Sequence, residues 1–458
     1  MKKYPKVLII GEPFDKVSGY GITISNLFHG WPKDKIAVAS KSNLRENADF
    51  SVCELYYQLG YNNKLHPFPF NILLNKVECG QVSISGKRTG MGKEPPRRAK
   101  KRFRKMYVII NALLSFFGIH PFFYKLKLTK DFKDWLNNYG PDIIYSHLMT
   151  LEMIRFVDKV QKYTQKPLAI HIADEWTKFI YNSSLFYPYW QKVIDKELRS
   201  LFDRSTVLMS ICRAMSDEYK GRYKKDFLPF HNPIIIDNWL PYSKKSWEIK
   251  DTFKILYAGR LGLGNRKTIL DIAAIIEKLN KDNYNIIFDI FTRDIDSTNL
   301  ELFKGFKNTC LKYNQAHYEM PRVLPKYDLL ILPLDFDKKE LQYSRLSMPT
   351  KMSEYMISGT PVLVYADKNS ALAKFALQEQ CAYTVTENNH YILHDAIVEL
   401  YGNQYLRGKL GARAKEVAIN NNDAEVVRED FRRAMVSGHT LYAKNNKYKS
   451  GRTIRLVS

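Results

Sequence analysis

The sequence predicts an α/β protein in which two Rossmann-like domains face each other across a cleft. In the first half of the chain, short β-branched runs alternate with stretches of helical periodicity, which is typical of a parallel, doubly wound sheet. After a polar segment the alternation starts again with a strand and a glycine-containing turn, as at the amino terminus. Such sheets bind ligands at the carboxyl ends of their strands, so a ligand is expected between the two domains.

The first domain is predicted to cover residues 1–240. Its strands are expected in the apolar runs at 6–11, 35–40, 141–147, 167–173 and 205–211. A helix is expected to begin in the sequence GYGITISNLFHGW, directly after the glycine-containing loop that follows the first strand.

The second domain is predicted to cover residues 251–425, after a polar linker at 241–251. Its strands are expected at 253–260, 284–291, 327–334 and 360–365, with an amphipathic helix at 267–280. A last unit, 426–458, is predicted to be a helix with a basic tail. The helical stretch that begins at residue 404 and continues into this unit can cross back over the first domain.

Composition excludes several classes of protein. The 458 residues are 45% hydrophobic, which is enough apolar material for full cores and excludes a chain that is disordered throughout. No run of about 18 apolar residues occurs, so no membrane-spanning helix is predicted. The apolar run near the amino terminus is interpreted as a core strand rather than a signal peptide, so a cytoplasmic protein is expected.

The cysteines favour a reducing compartment. Five are scattered along the chain without a close pair, namely Cys53, Cys79, Cys212, Cys310 and Cys381. This pattern contains no CxxC and an odd number of thiols, so neither a disulfide framework nor a zinc site is predicted.

The net charge of +24 predicts an anionic partner. Residues 87–105 hold ten basic side chains and one acid, and they lead into the apolar stretch 106–117. We expect the segment near 97–124 to contact an anionic membrane surface, which would place the protein on the inner face of the cell membrane. The alternatives are a core helix beside a solvated basic loop, or nucleic-acid binding, for which no recognised module is present. The seven basic residues of 431–458 are equally explained by a solvated tail.

Two groups of residues suit a phosphate ligand. Gly19 and Gly21 lie in the loop after the first strand, where glycine lets backbone N–H groups approach a phosphate, although ordinary turn formation is the alternative. In the second half, Arg260 follows a strand, and Arg266 and Lys267 stand at a helix start. These cations together predict a diphosphate site, with ordinary surface charges as the alternative.

The most specific stretch is SMPTKMSEYMISGTPV, residues 347–362. Glu354 lies in a predicted short helix before a Gly-Thr-Pro turn, and a carboxylate there can accept hydrogen bonds from both hydroxyls of a ribose. Lys351 lies three residues earlier on the same helix face, so an ordinary intrahelical ion pair is the alternative.

These motifs together resemble the nucleotide-sugar glycosyltransferases of the GT-B fold, close to glycosyltransferase family 4. The resemblance implies that Arg260 binds the donor diphosphate, with Arg266 or Lys267 in the place of the family's lysine, and that Glu354 binds the donor ribose. The family has a further glutamate at the position of Leu346; this chain has instead a Ser-x-Pro-x-Lys sequence that begins at Ser347, which we also assign to donor binding.

The resemblance also implies the reaction. A sugar, of the hexosyl type, would pass from a nucleotide-sugar to a saccharide or lipid-linked saccharide, with retention of anomeric configuration, in surface polysaccharide or glycan synthesis. The nucleotide-sugar would be a substrate, and no cofactor and no metal is expected. The DxD strings at 294–296 and 335–337 can hold a divalent cation in the other glycosyltransferase fold, but two copies in one chain show how common the string is.

Catalytic candidates in the first domain come from KPLAIHIADEW, which resembles the family's strand ending in His-Asp. Asp174 and Glu175 are expected to face the cleft, where either can orient the acceptor hydroxyl or the transferred sugar. His171 is the histidine candidate, and a histidine buried within the strand is the alternative. Two other functions remain open at this point: a nucleotide-sugar epimerase on the same fold, and a non-catalytic membrane or nucleic-acid binder.

Overall fold

The computed structural model describes residues 4–15, 18–44, 48–63, 79–82, 108–109, 112–123, 125–262 and 264–452. The basic run at 97–105 lies outside the described residues, as does part of the apolar stretch 106–117. Of the helices in the described ranges, none combines the length and apolar character needed to span a bilayer.

The first domain is built on one sheet in the order β4-β3-β2-β1-β5-β6-β7-β8. Its strands are β1 (Val7–Ile10), β2 (Ile36–Ser40), β3 (Leu55–Gln58), β4 (Gly80–Val82), β5 (Ile143–His147), β6 (Leu168–Ile172), β7 (Val207–Ser210) and β8 (Leu228–Pro229). Only the β3–β4 pair is antiparallel among the described pairs. The central strands are buried along their whole length, as expected for a parallel sheet covered on both faces.

The second domain holds a parallel sheet in the order β11-β10-β9-β12-β13-β14. Its strands are β9 (Phe253–Ala258), β10 (Ile286–Thr292), β11 (Thr309–Tyr313), β12 (Leu329–Pro333), β13 (Val362–Tyr365) and β14 (Tyr383–Val385). The predicted fold class, two Rossmann-like domains, is therefore confirmed.

Helices cover both sheets. In the first domain they are α1 (Gly19–Leu27), α2 (His120–Phe123), α3 (Lys130–Tyr139), α4 (Leu151–Thr164), α5 (Trp176–Phe179), α6 (Tyr187–Arg204) and α7 (Arg213–Tyr223). In the second half they are α8 (Arg266–Lys281), α9 (Ser297–Phe303), α10 (Met320–Val323), α11 (Lys338–Ser344), α12 (Lys351–Ile357), α13 (Ala371–Glu379), α14 (His390–Gly402), α15 (Gln404–Asn422) and α16 (Ala424–Arg452). In α8 the buried residues Ile269, Ile272 and Ile276 recur at helical spacing, which explains why this face packs on the sheet.

The carboxyl-terminal helix α16 packs on the first domain. Phe431 and Met435 are fully buried in a core cluster of the first domain, and the Phe431 ring meets Phe28 and Tyr145 edge to face. A side chain at Gly438 would collide with Val207, so glycine permits the close approach of helix and sheet. The chain therefore crosses between the domains a second time.

The predicted linker, residues 241–251, is attached to the second domain by hydrogen bonds. The indole nitrogen of Trp247 donates to the carbonyl of Gly359 at 2.9 Å, and the guanidinium of Arg407 donates to the carbonyl of Trp247. These contacts hold the segment against the second domain.

Candidate functional site at the interdomain cleft

Glu354 is the centre of a compact charged group in α12. Its side chain is 1% exposed, and Lys351 Nζ lies 3.3 Å from Oε2 while His317 Nε2 lies 2.9 Å from Oε1. Burial by itself would raise the pKa of Glu354, but the lysine charge and the histidine hydrogen bond outweigh it and lower the pKa to about 2. The carboxylate is therefore ionised and fixed in position at neutral pH.

Arg260 follows the end of β9, the strand to which α12 is attached. The backbone N–H of Ala258, the last residue of β9, donates to the hydroxyl of Tyr355 at 2.8 Å. Arg260 follows two residues later, with its side chain 92% exposed and its Nε 3.9 Å from Asp294 Oδ2. The structure thus brings Arg260 and Glu354 to the same edge of the second sheet, with the guanidinium free to turn toward a ligand.

The turn after β9 is held in shape by one amide. Asn265 donates to the carbonyl of Arg260 at 2.9 Å and to the hydroxyl of Tyr257 at 2.7 Å, and it accepts from the N–H of Gly262. Arg266 comes next, at the first position of α8, and its Nε is buried without a hydrogen-bond partner among the described residues. Lys267 instead points to Asp337, with which it forms an exposed ion pair.

The first domain contributes the start of α1. Ser18 caps the helix by accepting from the N–H of Gly21, and Asp15 in turn accepts from both the N–H and the hydroxyl of Ser18. A Cβ on Gly21 would lie 2.1 Å from the Asp15 carboxylate, so only glycine fits there. Gly19 and Gly21 lie in the first turn of α1 and not in the loop where the sequence predicts them, because Ser18 caps the helix directly before Gly19. The carbonyl of Gly19 lies 3.5 Å from Thr350 Oγ1 of the second domain, which places this first turn opposite the start of α12.

Asp174 connects the two domains. The hydroxyl of Ser347 donates to Asp174 Oδ1 at 2.8 Å, a contact between the end of β6 and the residue three before Thr350. Burial raises the pKa of Asp174, and the hydrogen bond from Ser347 opposes that rise. Asp174 and Ser347 therefore meet at the boundary between the two domains.

Glu175 occupies a different environment from its neighbour. Its carboxylate is buried and accepts from Arg222 at 2.9 and 3.0 Å, while Thr177 donates to it at 2.6 Å. Arg222 also pairs with Glu218, and Glu218 reaches Arg345 of the second domain at 3.1 Å. The side chain of Glu175 thus turns away from the cleft, in contrast to the expectation, because the guanidinium of Arg222 satisfies both of its oxygens.

His171 is enclosed in the first domain. Its Nδ1 lies 2.7 Å from the hydroxyl of Tyr145, which lies 2.8 Å from the hydroxyl of Tyr20, and burial lowers the pKa of His171 to about 4. The ring of Tyr20 also stacks on His147 at 3.5 Å between centroids. The imidazole of His171 is therefore fully buried in the first domain, with the ring of Tyr20 packed against it.

Leu346 shows what replaces the family's additional glutamate. Its side chain is 2% exposed and belongs to the apolar core, and its carbonyl accepts a weak hydrogen bond from Cys212 Sγ. The neighbouring Arg345 makes the ion pair with Glu218. This part of the loop therefore joins the domains, and Ser347 is its polar side chain directed to Asp174.

Four residues of the site were not singled out from the sequence: His317, Tyr20, His147 and Tyr355. His317 reaches Glu354 from a loop after the edge strand β11, which is absent from the predicted strands. Tyr20 lies between Gly19 and Gly21, so its position beside the predicted phosphate-binding glycines is the feature of the sequence that points to it. Burial of His147 at the end of β5 becomes visible only once the fold is known.

The buried histidines predict a stability loss in acid. Burial lowers the pKa of His147 and of His171 in the folded chain, so between about pH 6.5 and pH 4 the unfolded chain binds protons that the folded chain does not. Stability is therefore expected to be full above the unfolded pKa and to fall as the pH drops below it. His147→Phe should make the fall in Tm between about pH 7 and pH 5 smaller. A His147→Phe variant whose Tm falls as steeply with acid as that of the unmodified chain would contradict the prediction.

The acidic strings at 294–296 and 335–337 have protein partners. Asp294 accepts from the N–H of Leu261, Asp296 caps α9, and Asp335 accepts from the N–H and hydroxyl of Thr268. Among the described residues, no group of three or more His, Cys, Asp or Glu side chains is arranged to hold a metal ion.

A cavity of about 560 Å³ opens beside Glu354 and His317. Its other walls come from the segment that leads out of the first domain, including Trp239 and Tyr242, and from Arg322. The carboxylate of Glu354 therefore lies at the border between the ion-pair group and an open space with aromatic walls.

Comparison with known proteins supports the fold. No family model and no curated protein matches the chain. Among solved structures, the sucrose-phosphate synthase of Thermosynechococcus elongatus is 11% identical, with a TM-score of 0.58 over 97% of this chain and 100% of that one. HepE of Anabaena, solved in complex with UDP, is 11% identical, with a TM-score of 0.58 over 94% of this chain and 100% of that one. The lipopolysaccharide outer core galactosyltransferase WaaB is 13% identical, with a TM-score of 0.52 over 94% and 99%. The chain has the GT-B fold over nearly its whole length.

Proposed function

We propose that the protein is a glycosyltransferase that moves a sugar, of the hexosyl type, from a nucleotide-sugar donor to a saccharide or lipid-linked saccharide acceptor. The observation that carries the proposal is the buried, ionised carboxylate of Glu354, held by Lys351 and His317 on the sheet edge that also carries Arg260. Burying a charge is costly unless it is paired, and a site that retains one at a ligand-binding edge is typical of ligand recognition.

The carboxylate suits the ribose of a nucleotide. Each of its oxygens has one protein partner and retains further acceptor capacity, so two vicinal hydroxyls can bind without displacing Lys351 or His317. The adjoining cavity, with Trp239 and Tyr242 in its walls, offers room for the base. The relatives in fold include HepE, which was solved with UDP and with UDP-glucose, and this likeness favours a nucleotide-sugar as the donor.

The cations suit the diphosphate. Arg260 is exposed at the end of β9, and Arg266 presents a buried Nε at the first turn of α8, where the helix dipole adds partial positive charge. In this proposal the two guanidinium groups stabilise the charge that develops on the leaving phosphate as the sugar becomes oxocarbenium-like. Lys267 can join them once its exposed pair with Asp337 opens, since such pairs contribute little stability.

The first domain supplies the other side of the reaction. The first turn of α1, with Gly19 and Gly21, faces α12, and Asp174 lies after the carboxyl end of β6 with Ser347 as its partner. We assign Asp174 the orientation of the acceptor hydroxyl or the transferred sugar. The reaction retains the anomeric configuration in this proposal, with the acceptor proton passing to the leaving phosphate.

The place of the reaction follows from the acceptor. A saccharide that grows on a lipid carrier is held at the cell membrane, so we propose a role in surface polysaccharide or glycan synthesis on the cytoplasmic side of that membrane. The nucleotide-sugar enters as a substrate in this scheme, and the transfer requires no further cofactor because positively charged side chains already oppose the diphosphate.

A thermal-shift screen with nucleoside diphosphates and their sugars tests donor binding. The matching nucleotide should raise Tm, because a ligand that binds only the folded state stabilises it. Arg266→Gln should weaken that binding by about tenfold or more, since it removes a charge-assisted hydrogen bond. The control Arg433→Gln, on the exposed face of α16, should bind normally. A chain whose Tm responds to no nucleotide would refute the proposal.

Product analysis then separates transfer from isomerisation. Incubation with the matching nucleotide-sugar and a saccharide acceptor should give a glycosylated product and free nucleoside diphosphate. An isomerised nucleotide-sugar formed without any acceptor would instead establish an epimerase and overturn the transferase assignment.

A further inference from the structure

The first domain carries a surface on which large apolar side chains point into solvent. We call it the apolar platform and define it by Leu113, Phe116, Phe117, Ile119, Phe122, Leu185, Phe186 and Tyr189. Each of these side chains is between 37% and 59% exposed. Single exposed apolar residues are common, but a contiguous group of this kind marks an interaction site.

The platform is held together by specific contacts between its two segments. The N–H of Leu185 donates to the carbonyl of Phe116 at 2.9 Å, and the indole nitrogen of Trp190 donates to the carbonyl of Gly118 at 2.6 Å. Gly118 has φ of +61°, and a Cβ there would lie 2.2 Å from Ser184 Oγ. Because the backbone at this position requires glycine and is tied to α6, the apolar side chains are presented by a defined structure.

Within the two segments that form the platform, the charged residues are basic. Residues 106–130 and 176–194 contain no Asp and no Glu, while Lys125, Lys127 and Lys178 belong to them. The chain directly before this region, 87–105, adds ten basic residues and one acid in sequence. A second copy of this chain would bring like charges together at the platform, whereas an anionic bilayer complements them.

We propose that the apolar platform inserts into the interfacial region of an anionic lipid bilayer, with the surrounding lysines on the headgroups. Phenylalanine, leucine and tyrosine side chains enter the boundary between headgroups and acyl chains, as in proteins that lie on membranes without spanning them. Each nearby lysine adds electrostatic attraction to an anionic leaflet. The apolar and charged contributions act together, so neither neutral lipid nor an uncharged apolar surface alone should suffice.

The position of the platform links it to the cleft. The helix α5 begins two residues after Asp174, and the platform segment 185–189 follows a short stretch of chain after the end of α5. The hydroxyl of Tyr187 donates to the carbonyl of Lys178 at 2.7 Å, and Gln191 donates to the carbonyl of Thr177 at 2.7 Å, which fixes the platform to α5. Docking on a bilayer therefore places the Asp174 side of the cleft near the headgroups. Resting on the proposed function, this assigns a lipid-linked saccharide rather than a free one as the acceptor.

Co-sedimentation of the full chain with vesicles tests the platform. The chain should bind vesicles of phosphatidylcholine mixed with phosphatidylglycerol and should bind poorly to phosphatidylcholine alone. The double variant Leu113→Ser/Leu185→Ser should lose about tenfold or more of this binding, because two apolar side chains leave the bilayer. The matched control is Leu300→Ser/Leu377→Ser, which removes two leucines of similar exposure from the second domain and should bind as the unmodified chain does.

Each other outcome overturns the proposal. Absence of binding to the anionic vesicles, or equal losses in both double variants, would exclude the platform as a bilayer contact. A shift from dimer to monomer in light scattering of the Leu113→Ser/Leu185→Ser variant would show that a second copy covers it. The vesicle assay contains no nucleotide, so it is independent of the donor screen. Stabilisation by a nucleotide in the absence of vesicle binding refutes the platform alone. Vesicle binding in the absence of stabilisation by any nucleotide refutes the proposed function and the acceptor assignment.

Discussion

Replacing Glu354 by glutamine should weaken binding of the nucleotide by about 100-fold, which makes this the largest binding loss expected from a single uncharged substitution. The carboxylate is expected to accept from two ribose hydroxyls, and each charge-assisted hydrogen bond contributes roughly 1.5–3 kcal/mol. Glutamine keeps the shape and one acceptor oxygen but loses the charge that Lys351 and His317 surround. Isothermal titration with the nucleoside diphosphate found in the thermal-shift screen measures the effect.

The stronger change Glu354→Lys should abolish turnover, because it replaces the carboxylate with a second cation beside Lys351 and removes the acceptor of His317. Glu399→Gln is the matched control, since Glu399 is exposed in the same domain and accepts only from the hydroxyl of Tyr383 among the described contacts. A Glu354→Lys variant that still transfers sugar would remove Glu354 from the site.

The adjacent acids Asp174 and Glu175 should give opposite results when each is replaced by its amide. Asp174→Asn keeps the contact with Ser347 and relieves a buried charge, so Tm should not fall, whereas kcat should fall by about 100-fold or more if the carboxylate orients a reacting group. Glu175→Gln leaves Arg222 without its two-point partner. Breaking a buried ion pair typically costs about 3 kcal/mol or more, so Tm should fall by several degrees.

Measuring Tm and kcat in both Asp174→Asn and Glu175→Gln distinguishes the two roles. The kcat of folded Glu175→Gln should stay near that of the unmodified protein, because its side chain faces Arg222 instead of the cleft. If Glu175→Gln lowered kcat without lowering Tm, the structural assignment of this residue would be wrong.

The sequence predicts the fold well where the chain is apolar and continuous. Strands such as β1, β5 and β6 are buried on both faces, and this requirement gives each of them a largely apolar run in the sequence. The strands that were not predicted are β3, β4, β8, β11 and β14. Most of these lie at or near sheet edges, are short and carry exposed or half-buried residues, so neither length nor alternation separates them from loops.

The candidate site is predictable where one local motif holds the residues. Arg260 and Glu354 each lie in such a motif, and the structure brings them to one edge of the sheet. The different surroundings of Asp174 and Glu175 depend on Arg222, which is far along the chain, so no local pattern distinguishes the two acids. His317 is a similar case, since its contact with Glu354 depends on how the loop after β11 folds back.

The two places where the chain passes between the domains lie side by side. The N–H of Ile234 donates to the carbonyl of Asn422 at 2.8 Å, and the N–H of Ala424 donates to the carbonyl of Ile234 at 2.9 Å. Because these two connections are hydrogen-bonded to each other, the described domains are joined at one place rather than at two separate points. Removing α16 would take away the second connection together with the packing of Phe431 and Met435 on the first domain, so the two domains would depend on the segment after Ile234 for their covalent link.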